Sequence, residues 1–487
     1  MDISAALTAE PPPAAPAEQA AVPAPVTGRT AQVIAAIRAR IAARSLGPGA
    51  KLPSIRKGAE LFDVSPSTVV EAYERLAADG VIQARPGSGF YVLSPQAPLV
   101  LAELGPRLDR AVDPFWVTRQ SLEAPADSLK PGCGWMPPDW MPQEDLRRAL
   151  RSLSRTEAAR LTDYGTPLGL LPLRQHLTRR MADTGIEAKP SQVLLVESGT
   201  QAIDLVCRFL IEPGDTVLVD DPCYFNFLAL LRAHRAKIVG IPFTQNGPDL
   251  DAFAKAVASH RPRLYVTNSA FHNPTGATLS PATAHRLMKI AEAADLTIVE
   301  DDIFADFEQQ PAPRLAALDG LQRVIHVGSC SKTLSAATRI GYIAARPEWI
   351  EGLTDLKIAS SFAGPALSAE LMLSVLKDGS YRRHLQALRS RLAATMGETR
   401  KRLARLGITP WTEPRGGLFL WCNLPDARDA TEVARLALAE GVVLAPGNVF
   451  SVAQTSPSLM RFNVAQCADP RIFSVLERAL SRIPATS

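Results

Sequence analysis

Apolar positions along this chain follow two different rhythms, and the change comes near residue 126. In residues 28–93 the spacing is helical. Val33, Ile34, Ile37 and Ile41 give a first helix one apolar face, and Gly47-Pro48-Gly49 ends it. Ser54 caps a short helix carrying Ile55, Ala59 and Phe62. Ser65 caps the next, with Pro66 at its first position, where a missing N–H is no loss. Val69, Ala72, Tyr73 and Leu76 fall at i, i+3, i+4 and i+7, so that face is buried, and Gly80 stops the helix. Val81-Ile82-Gln83 and Phe90-Tyr91-Val92 then flank the turn Arg85-Pro86-Gly87-Ser88-Gly89 and read as a hairpin. Three helices followed by a hairpin predict a winged helix-turn-helix.

From about 126 to 487 short apolar strands alternate with helical stretches. Val193–Val196, Val217–Val219, Leu264–Val266 and Thr297–Val299 are such strands. This pattern predicts an α/β domain with an open, mainly parallel sheet and helices on both faces. Residues 1–27 are rich in Ala and Pro and poor in charge, and are expected to be a disordered tail. Residues 94–125 hold scattered prolines and short apolar clusters with no clear period and are expected to be a linker that packs in part.

The 487-residue length suits two or three domains. No apolar run is long enough for a membrane span, and the first residues lack a basic region ahead of an apolar stretch, so neither a span nor a secretory leader is expected. The six cysteines are scattered without a CxxC pair. That argues against a zinc site or disulfide framework and fits a reducing cytoplasm. The net charge is +4, and its location matters more than its size. Residues 28–93 carry nine Lys/Arg against five Asp/Glu, and the rest of the chain is balanced at 44 against 44. The positive excess belongs to the predicted winged helix-turn-helix, as phosphate contacts require. The helix opened by Ser65 offers the Ser67 and Thr68 hydroxyls and free N–H groups to a major groove, while Arg56, Arg75, Arg85 and Gly87 are placed to approach the backbone or minor groove. A protein-interaction domain with a solvated basic face is the alternative.

Four patterns in the larger domain carry chemistry. Ser198-Gly199-Thr200-Gln201-Ala202 follows a strand and opens a helix, which makes an anion site, although any strand-to-helix turn favours such residues. Asn268 to Gly276 is a polar loop with a fixed turn. Glu300-Asp301-Asp302 ends a strand where ligands bind in doubly wound folds, and a buried carboxylate there needs a cation, either a protonated pyridine nitrogen or magnesium. Gly328-Ser329-Cys330-Ser331-Lys332-Thr333-Leu334, with Arg339 seven residues beyond the lysine, holds an amine among hydroxyls, where it can condense with an aldehyde.

Two resemblances follow from these residues. Leu52-Pro53-Ser54-Ile55-Arg56, Val64 to Val69, Tyr73 to Gly80 and Gly87 to Val92 resemble the GntR-type DNA-binding domain over essentially all of residues 28–93. That likeness implies DNA contacts at Arg56, Ser65, Ser67, Thr68 and Gly87. The four patterns of the larger domain resemble the fold-type I aminotransferases from about Tyr164 to Arg461. This implies pyridoxal 5′-phosphate (PLP) as cofactor and no metal. By that likeness Lys332 is the Schiff-base lysine, Asp301 pairs with the pyridine nitrogen, Asn273 bonds the phenolic oxygen and Tyr224 stacks on the ring. Thr200, Gln201, Ser329, Ser331 and Arg339 hold the phosphate, Tyr164 reaches the partner subunit's phosphate, and Arg461 clamps a substrate carboxylate. The sequence departs at Phe304, where the family usually places a tyrosine that donates to the phenolic oxygen. Losing that bond is worth roughly 0.5–1.5 kcal/mol, and Tyr265 or Tyr342 could supply it instead.

The two parts together resemble the MocR subfamily of bacterial regulators over nearly the whole chain. The resemblance implies a cytoplasmic, homodimeric, PLP-dependent transcription factor that senses PLP, or an amine or amino acid, through the Schiff base on Lys332 and binds DNA with repeated or palindromic half-sites. A working aminotransferase with an appended head, and a cofactor-free dimerisation scaffold, are the rival readings.

Overall fold

The computed structural model describes residues 28–42, 46, 50–85, 88–93, 114–125, 127–155, 162–413 and 415–484. The expected tail over 1–27, the wing residue Gly87 and most of the expected linker lie outside them. The chain divides into two compact units, Met1–Arg107 and Leu108–Ser487.

In the first unit, α1 (Arg29–Ala42), α2 (Ile55–Phe62) and α3 (Pro66–Ala78) precede strands β1 (Ile82–Arg85) and β2 (Gly89–Val92), which pair antiparallel. The predicted caps form. The Ser54 hydroxyl accepts from the Lys57 N–H, and the Ser65 hydroxyl accepts from the Thr68 N–H at 3.2 Å. Val33, Ile37, Val69, Ala72, Tyr73, Leu76, Ile82 and Val92 form one core, and the Tyr73 hydroxyl donates to the Pro53 carbonyl at 3.0 Å.

The first described element of the second unit is a helix, within the stretch read from sequence as a partly packing linker. Helix α4 (Pro114–Glu123) forms because Trp116 and Val117 supply apolar anchors, both buried in the core beneath. The large sheet has eight strands: β3 (Val193–Val196), β4 (Thr216–Asp221), β5 (Lys237–Thr244), β6 (Gly247–Pro248), β7 (Leu264–Thr267), β8 (Thr297–Asp301), β9 (Val324–Ser329) and β10 (Gly341–Ala344), in the order 3-10-9-8-7-4-5-6. Five neighbouring strands, β5, β4, β7, β8 and β9, run parallel, while β10 lies antiparallel to both β3 and β9. Apolar cores cover both faces of this sheet, as the near-continuous apolar strands require. A separate antiparallel sheet of β11 (Thr409–Pro410), β12 (Phe419–Asn423), β13 (Ala445–Pro446) and β14 (Leu459–Asn463) was not anticipated from sequence. All six cysteines are free and buried, and no described helix is long and apolar enough to cross a membrane.

Candidate functional site: a buried lysine pocket and an exposed helix start

Parallel strands release their loops at one edge of the sheet, and β3, β8 and β9 bring the predicted chemistry together there. A cavity of about 380 Å3 is lined by Thr200, Tyr224, Asp301, Ser329, Ser331, Lys332 and Arg339, seven of the residues singled out in the sequence. Its wall also contains Ser198 of the anion motif, and Leu122, Trp135, Asn226 and Ile303, which no motif marked.

Lys332 sits in the turn after β9. Its amine donates to the Gly134 carbonyl at 2.6 Å. Burial, and then the charge of Arg461, push that amine down to about 8. Asp301 ends β8, where alternation separates it from its neighbours. Glu300 turns to the other face and accepts from the Leu315 and Ala316 N–H groups, and Asp302 meets the fully buried Arg314 at 2.8 Å. Both are thereby committed elsewhere, so the three acids do not converge on a cation. Among the described residues Asp301 makes no ion pair. It accepts from the Ile303 N–H at 3.2 Å, and burial pushes its carboxyl up to about 7. A buried carboxyl without a cation fits a pyridinium nitrogen, and the low amine pKa fits a lysine that reacts with an aldehyde.

The opposite end of the cavity suits a phosphate. Helix Gly199–Leu210 begins there, with Ser198 as its cap. Ser329 and Ser331 hold their hydroxyls 2.8 Å apart, and Arg339 adds positive charge. Gly341 of β10 permits this arrangement. A Cβ at that position would stand 2.6 Å from the Ser198 backbone.

Other residues that the sequence singled out do not line this cavity. Gln201 is not a wall residue; its side-chain oxygen turns back to accept from the Glu197 N–H at 2.6 Å while its own N–H bonds Ser198. The helix start uses it as a cap. Asn273 and Arg461 are joined to each other, Arg461 donating to the Asn273 side-chain oxygen at 2.8 Å and to the Gly132 carbonyl. Arg461 is buried over Phe419 and Phe450, and burial pushes it down to about 10. Tyr164 is 83% exposed and lies on an apolar groove with Gly165 and Lys357, outside the lysine cavity. Phe304 packs in the core against Phe419. Neither tyrosine replaces it: the Tyr265 hydroxyl bonds Asp220 beneath the sheet, and Tyr342 packs beside Gly328 and His326.

In the first unit Arg56, Ser65 and Ser67 are exposed at the starts of α2 and α3, with Thr68 half-buried beside them. The Ser65 oxygen stands 2.8 Å from both the Ser67 and Thr68 hydroxyls. Arg75 is engaged with Glu71 at 2.8 Å, whereas Arg56 makes no ion pair among the described residues. Val70, unmarked by sequence, is an exposed apolar residue of α3.

Two family models match the chain. Bacterial regulatory proteins of the gntR family match residues 29–92, and aminotransferase class I and II matches residues 137–479. The chain is 31% identical over 449 residues to the uncharacterized HTH-type transcriptional regulator YdcR of Escherichia coli, covering 89% of this chain and 94% of that protein. It is 27% identical to aromatic-amino-acid aminotransferase 1 of Thermococcus litoralis, over 74% of this chain and 88% of that enzyme. Among solved structures, the α-aminoadipate aminotransferase LysN of Thermus thermophilus, complexed with N-(5′-phosphopyridoxyl)-L-leucine, is similar with a TM-score of 0.69 at 27% identity, covering 77% of this chain and 96% of that one.

Proposed function

The chain belongs to the MocR-type helix-turn-helix regulators, and from that membership we propose that it is a PLP-dependent transcription factor whose larger unit senses PLP, or an amine or amino acid, at Lys332. The observation that carries this reading is the wall of the lysine cavity. Leu122 in that wall belongs to α4, the first described element after the DNA-binding head in the chain. Trp116 and Val117 anchor the same helix in the core. A ligand packed against Leu122 therefore acts on the polypeptide that leads to the head. Allostery of this kind requires a ligand that favours one of two arrangements, and α4 is the element offered for it.

When bound, PLP supplies an aldehyde for a primary amine and a ring that withdraws electrons. The residues of the chain do the rest. Lys332, neutral in part near pH 8, presents the amine. Asp301 balances a protonated ring nitrogen, and Tyr224 offers a ring face. The helix start at Gly199, the Thr200, Ser329 and Ser331 hydroxyls and Arg339 take the phosphate. Arg461, oriented by Asn273, offers a guanidinium to a carboxylate. Tyr164, exposed and outside its own cavity, supports a homodimer in which it reaches the partner's site, and two heads would then read repeated or palindromic DNA.

Retention of Lys332, Asp301, Asn273 and Arg461 favours a second reading, an active aminotransferase with an appended head. Sustained turnover of an amino acid with a keto acid supports that reading, whereas a single conversion that alters DNA affinity supports the regulator. On DNA from upstream of its own gene, Arg56→Ala is expected to weaken binding roughly tenfold and to reduce the slope of log affinity against log salt by about 1. Fluorescence anisotropy across a salt series measures both. Unchanged affinity and slope would remove Arg56 from the DNA face.

A further inference from the structure

Lys332 stands in a turn that few backbone bonds hold: Leu334 and Thr333 donate their N–H groups to the Cys330 carbonyl at 2.8 and 3.3 Å. Ser329 and Ser331 brace the turn on the cavity side, and further support comes from behind. The carboxylate of Asp306 accepts from the Thr333 hydroxyl at 3.0 Å and from the Tyr381 hydroxyl at 3.0 Å, and it pairs with Arg180. The two hydroxyls are themselves 2.8 Å apart. His384 donates its Nε2–H to the Thr333 carbonyl at 2.8 Å, and Arg389 donates to the Asp306 carbonyl at 2.8 Å. Arg180 also reaches the Cys330 sulfur at 3.7 Å. Cys330 and Thr333, on either side of Lys332, are thus both tied to one cluster, and Thr333 is 1% exposed.

Asp306 is five residues beyond Asp301, in the single turn Ala305–Phe307 that follows β8. It therefore fastens the loop that follows the acid to the turn carrying the lysine. None of Asp306, Arg180, Tyr381, His384 and Arg389 is part of the cavity wall.

We propose that Asp306 and Thr333 are positioning residues that set the distance between Lys332 and Asp301, and so tune how the lysine engages PLP. The proposal rests on the cofactor reading above. Phe304 has no hydroxyl to offer, so the turn, its backing and the Gly134 carbonyl place the amine.

The full-length protein, stripped and reloaded with PLP, supplies the test, with visible absorbance followed as a function of PLP concentration and of pH. Thr333→Val keeps the shape and the Asp306–Arg180 pair but removes the hydroxyl. It is expected to weaken PLP binding about tenfold and to move the pH midpoint of the bound cofactor's absorbance, and Thr333→Ser is expected to restore both. Asp306→Asn is expected to move the same midpoint in the same direction. If Thr333→Val lowers thermal stability while PLP affinity and the pH midpoint stay at wild-type values, the cluster is only structural and the proposal is overturned. Wild type that takes up PLP beside an unaffected Thr333→Val overturns the positioning role alone, and wild type that takes up none overturns the cofactor reading and this role together.

Discussion

Lys332→Met is expected to give a protein that acquires no visible absorbance with PLP and that nevertheless unfolds at a higher temperature than cofactor-free wild type. The absorbance is lost because no other described amine lines the cavity. The gain in stability follows from the lysine's environment. Burial lowers its amine from the ordinary 10.5 to about 8. A depressed amine contributes stability that is full above its unfolded value and is lost as pH falls through the folded one. Asp301 runs the other way. Its carboxyl rises from the ordinary 3.8 to about 7, so its contribution is full below 3.8 and is lost as pH rises through about 7. At pH 7.5 both groups are largely charged and both oppose folding. Methionine keeps the length of the lysine and removes its charge. The expected gain is on the order of 1–3 kcal/mol once solvent screening of a half-buried side chain is allowed for. Thermal unfolding of the cofactor-free proteins at pH 7.5 measures it, and the difference should shrink toward pH 10. Equal or lower stability of Lys332→Met would mean that the cavity already solvates the ammonium.

Asp301→Ala is expected to weaken PLP binding roughly 100-fold or more, because removing one member of a buried charge pair costs ~3 kcal/mol or above. The cavity should remain intact, since Asp301 holds the fold through little beyond the Ile303 N–H. Equilibrium titration with PLP checks this, with unchanged far-ultraviolet circular dichroism as the control. Wild-type affinity in Asp301→Ala would mean that the carboxyl does not face the ring nitrogen.

How far the sequence carried these conclusions depended on whether a feature was local. Ser65, Pro66 and the spacing of Val69, Ala72, Tyr73 and Leu76 describe one helix, and they held. The loops after β8 and β9 each carry a complete short pattern, so Asp301 and Lys332 could be singled out before any fold was known. Gln201 was ambiguous for the same reason: Ser-Gly-Thr-Gln is as good a cap as a phosphate site, and its side chain bonds the Glu197 N–H. Helix α4 was hidden because its signal lies in partners remote in sequence, the core that receives Trp116 and Val117. Leu122 and Trp135 reach the cavity only through that packing. The reversed strand β10 was equally illegible, because strand direction is set by the whole sheet and leaves no mark in Gly341–Ala344. Asp306 belongs to the same class. Its partners Arg180, Thr333 and Tyr381 come from three separate elements, and only folding shows that it fastens the lysine's turn.

A single measurement decides between a sensor and a mere juxtaposition of two domains. Full-length protein is loaded with PLP and titrated with each common amino acid in turn, following visible absorbance and DNA affinity in the same sample. The expected result is that PLP itself, or one amino acid, changes DNA affinity by about fivefold or more, the range of ordinary allosteric coupling, with the spectral and DNA-binding changes sharing one midpoint and both absent in Lys332→Ala. DNA affinity that stays constant through loading with PLP and through complete spectral conversion by every amino acid that reacts would contradict it.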